Sequence, residues 1–226
     1  MRKRFKWQFG LDVYSMEEAH KNLDAVGDMP DIIEIGTPLV YIEGLNAIKE
    51  VRNRYPQKEI LVDCKIIDAA SVMSVPMYEA GADIVTVEGG SHDYVISEQA
   101  RVAHEYGKPA EADLMNVTEL ECRAEELMDL GIDIIGMHAT SQALRPHEIH
   151  INDIKRILSV VPAEKLCIAH SITLDTLNTI LSFKPAITVC QIPILVAEGV
   201  EAKKEAAQAI NDMLDKYEQA YDSSIK

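Results

Sequence analysis

Basic residues are scarce in this chain. Its 22 lysines and arginines face 37 aspartates and glutamates, for a net charge of −15. Binding to phosphate backbones wants a basic face, so nucleic acid is excluded as a partner class. The one basic cluster, Arg2-Lys3-Arg4 with Lys6, is short and runs into Trp7; it reads as a solvated leader to a first strand. Long apolar runs are missing too. None approaches the roughly 20 residues needed to cross a bilayer, so no membrane partner is expected. No secretory apolar region follows Met1, which points to the cytoplasm. Cysteine is sparse, with Cys64, Cys122, Cys167 and Cys190 and no CxxC pair. Three of them lie in or beside apolar runs and read as buried free thiols in a reducing compartment, not as a disulfide framework. No Gly-x-Gly-x-x-Gly follows the first apolar run, which argues against a dinucleotide-binding sheet.

What the chain does have is a core and a rhythm. Its 226 residues are 47% hydrophobic, enough for one large folded domain. Strand-like apolar runs fall at Trp7–Val13, Ile32–Ile35, Ile60–Val62, Ile84–Val87, Ala110–Leu114, Ile132–Met137, Leu166–Ala169 and Ile187–Cys190. Between them lie segments with apolar positions near period 3.6, such as Leu45, Ile48 and the stretch Leu120, Ala124, Leu127, Met128. Gly81-Ala82-Asp83 and Gly131-Ile132-Asp133 mark helix-to-strand turns, where glycine suits a left-handed cap. Pro76 is expected to kink a helix over Ser71–Ala80 or delay its start, and Val200–Tyr217 reads as a long tail helix outside the barrel. Alternation of this kind implies parallel strands with right-handed crossovers. Eight units in this length predict an α/β protein, a single closed (β/α)8 TIM barrel over residues 1–226, with a doubly wound open sheet as the competitor. No linker or composition break divides the chain.

Polar residues stand where these runs stop. The third run leads into Asp63-Cys64-Lys65-Ile66-Ile67-Asp68, two carboxylates and an ammonium at one strand end. Fixed charges are costly to desolvate unless paired, so such a group is unusual there without a task. Asp12 closes the first run, Glu34 the second, Glu88 the fourth, Asp113 the fifth and His138 the sixth; His170 and Ser171 follow the seventh and Gln191 the eighth. A barrel would gather all of them on one rim, the usual place for catalysis in this architecture. Taken singly, Asp12 or Glu34 could cap a helix, His138 could be a hydrogen-bonded core histidine, and Glu88 and Asp113 could be turn carboxylates. A purely structural ion network is the rival reading of Asp63, Lys65 and Asp68. His147 and His150 have a spacing that puts both on one helical face, but no third ligand stands nearby and a zinc site is not expected.

Glu34-Ile35-Gly36-Thr37-Pro38, the Asp-x-Lys-x-x-Asp block at Asp63–Asp68, and Ala80-Gly81-Ala82-Asp83-Ile84-Val85-Thr86-Val87 occur in that order. Together they resemble 3-hexulose-6-phosphate synthase and 3-keto-L-gulonate-6-phosphate decarboxylase, of the orotidine 5′-monophosphate decarboxylase superfamily, from about Phe9 to Ile210. The resemblance implies a homodimer of barrels with active sites near the interface, a Mg2+ ion and a 1,2-enediolate intermediate. It implies Glu34 and Asp63 as metal ligands and Lys65 as the residue that stabilises negative charge or handles a proton. Asp68 would reach into the partner's site, Asp12 and Asp113 would position substrate hydroxyls or the lysine, and His138 would carry a proton.

The C-terminal quarter departs from the family pattern. Where the family holds a phosphate on a Gly-Gly pair after strand seven, this chain has Ala169-His170-Ser171-Ile172. Where it has Gly-Arg after strand eight, this chain has Cys190-Gln191-Ile192-Pro193. Glycine lets a phosphate approach the backbone and proline removes a donor. His170, Ser171, Gln191, Arg145 and the helix starting near Thr173 are the remaining candidates to hold an anion or the rest of the substrate. His138-Ala139-Thr140-Ser141-Gln142 also lacks a basic residue that decarboxylase members carry, which favours aldol chemistry. The expected activity is a Mg2+-dependent carbon–carbon lyase on a sugar or sugar phosphate. The alternatives are an epimerase or isomerase on an unphosphorylated sugar acid, or a non-catalytic dimeric barrel that binds a metabolite or protein.

Overall fold

The computed structural model describes residues 4–138, 151–169 and 172–225. Eight strands run through them: β1 (Lys6–Gly10), β2 (Ile32–Ile35), β3 (Glu59–Ile66), β4 (Ile84–Glu88), β5 (Glu111–Asp113), β6 (Ile134–His138), β7 (Leu166–Ala169) and β8 (Ile187–Val189). Each pairs in parallel with the next in chain order, and β8 pairs with β1 to close the barrel. The helices between them are α1 (Met16–Val26), α2 (Thr37–Glu43), α3 (Leu45–Arg54), α4 (Ala70–Ala80), α5 (Asp93–Glu105), α6 (Leu120–Asp129), α7 (Ile151–Leu158), α8 (Leu174–Ser182), α9 (Ile192–Leu195) and α10 (Val200–Ile225). This is the (β/α)8 fold that the alternation predicts.

Strand periodicity sorts the side chains into two shells. Trp7, Phe9, Ile33, Ile35, Ile60, Val62, Val85 and Val87 face outward into the larger core shared with the helices. Ile32, Leu61, Ile84, Cys167, Ile187 and Val189 form a second cluster inside the barrel. Parity and register arrange the interior in tiers drawn from alternate strands. Ile32, Ile84, Ile134 and Ile187 make an apolar floor. Gln8, Leu61, Glu111 and Cys167 lie above it, then Glu34, Thr86, Gly136 and Val189. Gly10, Asp63, Asp113 and Ala169 open the mouth, with Glu88, His138 and Gln191 outermost. The interior thus turns from apolar to ionic toward the C-terminal ends of the strands.

The opposite end is pinned by a repeated device. The aspartate that precedes each of β2, β4 and β6 accepts a backbone N–H from the start of the odd-numbered strand before it or the residue leading into that strand: Asp31 from Trp7 at 3.1 Å, Asp83 from Ile60 at 2.9 Å and Asp133 from Ala110 at 3.0 Å. The glycines of the two Gly-x-Asp turns do adopt left-handed backbone, with φ 115° at Gly81 and 97° at Gly131.

Boundaries differ from expectation in a few places. β1 ends at Gly10, before Val13, since the chain leaves toward Ser15, whose hydroxyl caps α1 by accepting the Glu18 N–H at 3.2 Å. β3 runs on to Ile66 because an irregularity between Val62 and Ile66 absorbs extra residues while pairing with β4 continues. Pro76 lies inside α4, which starts at Ala70 and so is not delayed. The tail helix α10 continues past Tyr217 to Ile225 and packs on α1, α8 and α9.

Candidate active site

The irregular stretch of β3 decides where the charges go. Lys65 has φ 46°, left-handed backbone that a residue with a Cβ adopts at a cost of about 1–2 kcal/mol. Thr86 of β4 offsets that cost: its hydroxyl accepts the Lys65 N–H at 3.0 Å and donates to Asp63 Oδ1 at 3.0 Å. Thr37, at the start of α2, serves the other side of the carboxylate. It hydrogen-bonds the Asp63 carbonyl at 2.8 Å and Oδ2 at 2.9 Å, and accepts from Lys65 Nζ at 3.3 Å. So held, Lys65 Nζ pairs directly with Asp63 Oδ2 and lies 3.5 Å from Asp113 Oδ2. Asp113 Oδ2 in turn meets His138 Nδ1 at 3.0 Å. Asp63, Lys65, Asp113 and His138 form one chain of contacts from β3 across β5 to β6.

A wall of carboxylates lies on the other side of Asp63. Glu34 is buried and accepts from Gln8 Nε2 at 2.8 Å. Burial, then the charges of Asp63 and Asp12, push its carboxyl well above the usual range. Asp12, at the solvent-facing lip, is raised by desolvation and by Asp63, and accepts from Gln191 Nε2 at 2.5 Å. A Cβ at Gly10 would come within 2.6 Å of Gln191 Oε1 and 3.0 Å of Glu34 Oε2, so glycine here makes room for both side chains. For Lys65, burial acts to lower the ammonium, but the charges of Asp63 and Asp113 outweigh it and the net shift is upward; it stays cationic at neutral pH.

Of the eleven strand-end residues singled out from sequence, Asp63, Lys65, Asp113 and His138 meet in contact; Glu34 and Asp12 lie close enough to feel the Asp63 charge, and Gln191 is tied to Asp12. Asp68 stands apart. It is exposed and, among the described residues, accepts only the N–H of Ala69, at 2.8 Å. His170 and Ser171 lie outside the described residues, as do Arg145, His147 and His150. The helix expected near Thr173 is α8, whose Thr173 and Thr176 form a reciprocal capping box.

Sequence reading missed four polar residues of the interior. Thr37 and Thr86 look like ordinary strand and helix residues, and Gln8 like part of an apolar run. Glu111 sits two residues before Asp113 on the same face; burial, then Asp113 and Asp63, push it up to about 8, and its Oε2 is buried without a partner. The signal that finds all but Thr37 is period-two parity with residues already identified: Gln8 with Asp12, Thr86 with Glu88, Glu111 with Asp113.

Comparison with known proteins places this geometry in a family. The family model described as orotidine 5′-phosphate decarboxylase / HUMPS family matches residues 6–150. A 3-hexulose-6-phosphate synthase of Bacillus subtilis is 33% identical over 206 residues, 91% of this chain and 95% of that protein. One from Staphylococcus aureus is 32% identical, covering 90% of this chain and 97% of its own length. The crystal structure of 3-hexulose-6-phosphate synthase from Salmonella typhimurium superposes with a TM-score of 0.88 at 32% identity, covering 94% of this chain and 99% of that one. A 3-keto-L-gulonate-6-phosphate decarboxylase from Vibrio cholerae, at 24% identity and TM-score 0.82 over 95% of this chain and 99% of that one, shares the fold. The chain belongs to the orotidine 5′-phosphate decarboxylase / HUMPS family, and it is a lyase.

Proposed function

We propose that this lyase makes and breaks a carbon–carbon bond beside the carbonyl of a ketose phosphate, through an enediolate, with Mg2+ as its cofactor. The observation that carries the reading is the Asp63–Lys65–Asp113–His138 chain at the barrel mouth. An enediolate concentrates negative charge on two neighbouring oxygens. A preorganised ammonium, held by two carboxylates and the Thr37 hydroxyl, stabilises that charge as it develops. His138 has Nδ1 engaged by Asp113, which orients the ring and leaves Nε2 to take a proton from substrate carbon.

The full-length relatives at 32–33% identity are named 3-hexulose-6-phosphate synthases, which supports the aldol reaction over decarboxylation and a phosphorylated substrate over a free sugar acid. In a 3-hexulose 6-phosphate the C1 hydroxyl is β to the C3 carbonyl. Retro-aldol cleavage of C1–C2 therefore yields formaldehyde and a pentulose 5-phosphate. We assign the phosphate to His170, Ser171 and the first amides of α8.

The oxygen donors of Glu34 and Asp63 suit Mg2+. It takes hard oxygen ligands and keeps several waters, so Glu34 and Asp63 suffice to hold it. Among the described residues no ready cage of three or more His, Cys, Asp or Glu is formed. The mutual repulsion of Glu34, Asp12 and Asp63 is the strain that a divalent cation relieves. When bound, the ion supplies positive charge beside the developing enediolate. Titration calorimetry with MgCl2 tests this half of the proposal. Wild-type protein is expected to bind, and Glu34→Gln and Asp63→Asn to weaken binding at least about 10-fold. Equal affinity in all three would remove both residues from the metal site.

We further propose a homodimer with shared sites. Tyr41, Ile42, Ile67 and Val72 are more than half exposed, and Met73 is 47% exposed, all on α2, α4 and the loop before α4. These elements flank the site, and Asp68 lies in that same loop. An apolar sector of this kind suits a second copy. Buried thiols at Cys64, Cys167 and Cys190 suit a reducing cytoplasm.

A further inference from the structure

Glu88 has no part in the chemistry above, yet it occupies the mouth. It ends β4 and is paired in register with Asp113 of β5. Ile84, Thr86 and Glu88 share the inward face, which puts Glu88 in the outermost tier with His138 and Gln191. The loop behind it is braced. The Gly89 N–H bonds the Asp113 carbonyl at 2.7 Å, and the Ser91 N–H returns to the Glu88 carbonyl at 3.0 Å. Arg123 of α6 donates to the carbonyls of Gly89 at 2.6 Å and Ser91 at 2.8 Å. Gly89 fits because a Cβ there would come within 2.8 Å of the Asp113 carbonyl. The backbone that carries this carboxyl is thus fixed on both sides at the mouth.

The groups facing Glu88 come from three strands: Asp113 on β5, Lys65 on β3 and His138 on β6, with the Gly90 amide on its own loop. The Arg123 charge, on the helix behind, is engaged by Asp93 and Glu126. Burial, then Asp113, raise the Glu88 carboxyl to about 7, with Gly90, Lys65 and His138 opposing. It holds its proton in the range where a general acid works best.

We infer that Glu88 is a catalytic residue of the lyase, the proton donor to the aldehyde oxygen in carbon–carbon bond formation and the acceptor from the C1 hydroxyl in cleavage. The inference rests on the enediolate reading proposed above, whose proton balance requires two sites. In the forward direction the C1–H bond of the pentulose phosphate breaks and its proton passes to His138. The C1 carbon bonds to the aldehyde carbon, and the aldehyde C=O π pair becomes an alkoxide. That oxygen takes the proton from Glu88, leaving a carboxylate and the C1 hydroxyl of the hexulose phosphate. His138 then returns its proton to solvent, Glu88 regains one, and no redox partner is needed.

Two readouts on the Mg2+-loaded protein test this. One is exchange of the pentulose phosphate C1 hydrogen with D2O in the absence of aldehyde, which needs only the base. The other is the pH profile of kcat for aldol formation. Glu88→Gln keeps the side-chain size and the acceptor for Gly90. It is expected to lower kcat for bond formation about 100-fold or more, to lower exchange far less, and to lose the alkaline limb near pH 7. Glu88→Asp keeps a titrating carboxyl and is expected to retain that limb at intermediate kcat. His138→Asn is expected to lose exchange and bond formation together. Thermal melts verify that each variant is folded; should Glu88→Gln fail that check, the Glu88→Asp profile decides. An active wild type with Glu88→Gln within twofold and an unchanged profile, or Glu88→Asp without the limb, overturns the assignment of Glu88 alone. A wild type that neither exchanges nor condenses overturns the enediolate reading, and this one with it.

Discussion

Thr86 shows how much a single hydroxyl does at this mouth. It has one proton to give and lone pairs to receive with, and it uses both on the same neighbour strand: Asp63 takes the proton and the Lys65 amide gives one. The left-handed backbone at Lys65 and the Oδ1 side of the Asp63 carboxylate therefore rest on the same hydroxyl. Thr86→Val keeps the shape and β-propensity but strands a buried acceptor and a buried donor. A loss of about 1–3 kcal/mol in urea unfolding is expected, together with a fall in kcat of about 10-fold or more at little-changed KM. Lost stability with normal kcat would reduce Thr86 to a structural residue. The reason Thr86 is silent in sequence is physical. A threonine among Val and Ile is what any strand contains, and its two bonds exist only because β3 carries extra residues opposite β4. By contrast the Asp63 and Lys65 pair stands out in sequence because fixed charges at the end of an apolar run are costly unless paired, whereas Asp113 and His138 read equally well as a turn carboxylate and a core histidine until the barrel brings them together. Asp68 shares that signature, yet the folded chain leaves it exposed and outside the network.

At the scale of elements, alternation and parity made the strands readable, while their ends depended on tertiary bonds that no window of sequence contains. The aspartate pins are an example. Asp83 accepts from the Ile60 N–H, from Lys108 at 2.6 Å and from Arg52. Burial acts to raise this carboxyl, but Lys108, the Ile60 amide and Arg52 outweigh it and hold it below the ordinary value. A group lowered in this way stabilises the fold above its unfolded pKa of about 3.9, and that contribution is lost as pH falls through the folded value. Asp83→Asn is therefore expected to be less stable than wild type by about 1–3 kcal/mol at pH 7. The gap should close as pH falls below about 4. Denaturant midpoints across pH 3–7 check this; a gap that stayed constant down to pH 3 would mean the charge is not what matters.

At the scale of the whole molecule, the barrel converts sequence order into a gradient, from an isoleucine floor to an ionic mouth. Closure of β8 on β1 lets Asp12 and Gln191, at opposite ends of the barrel's strand order, meet as neighbours. It leaves the sector with Tyr41, Ile42, Ile67 and Val72 uncovered among the described residues, and Asp68 exposed beside it. If each site borrows Asp68 from a second copy, Lys65→Ala and Asp68→Ala homodimers are both inactive, whereas subunits exchanged between them regain up to about a quarter of wild-type activity per site. The gain should follow the fraction of mixed dimer seen by native mass spectrometry. No recovery at full exchange would confine each site to one chain.

The central claim is that the ionic chain at the barrel mouth splits or joins a ketose phosphate beside its carbonyl. The most direct measurement follows 13C1-labelled 3-hexulose 6-phosphate by NMR with the Mg2+-loaded protein. The account predicts labelled formaldehyde and unlabelled pentulose 5-phosphate, both absent with EDTA and with Lys65→Ala. Label that stays in an unaltered or merely epimerised six-carbon sugar would contradict it.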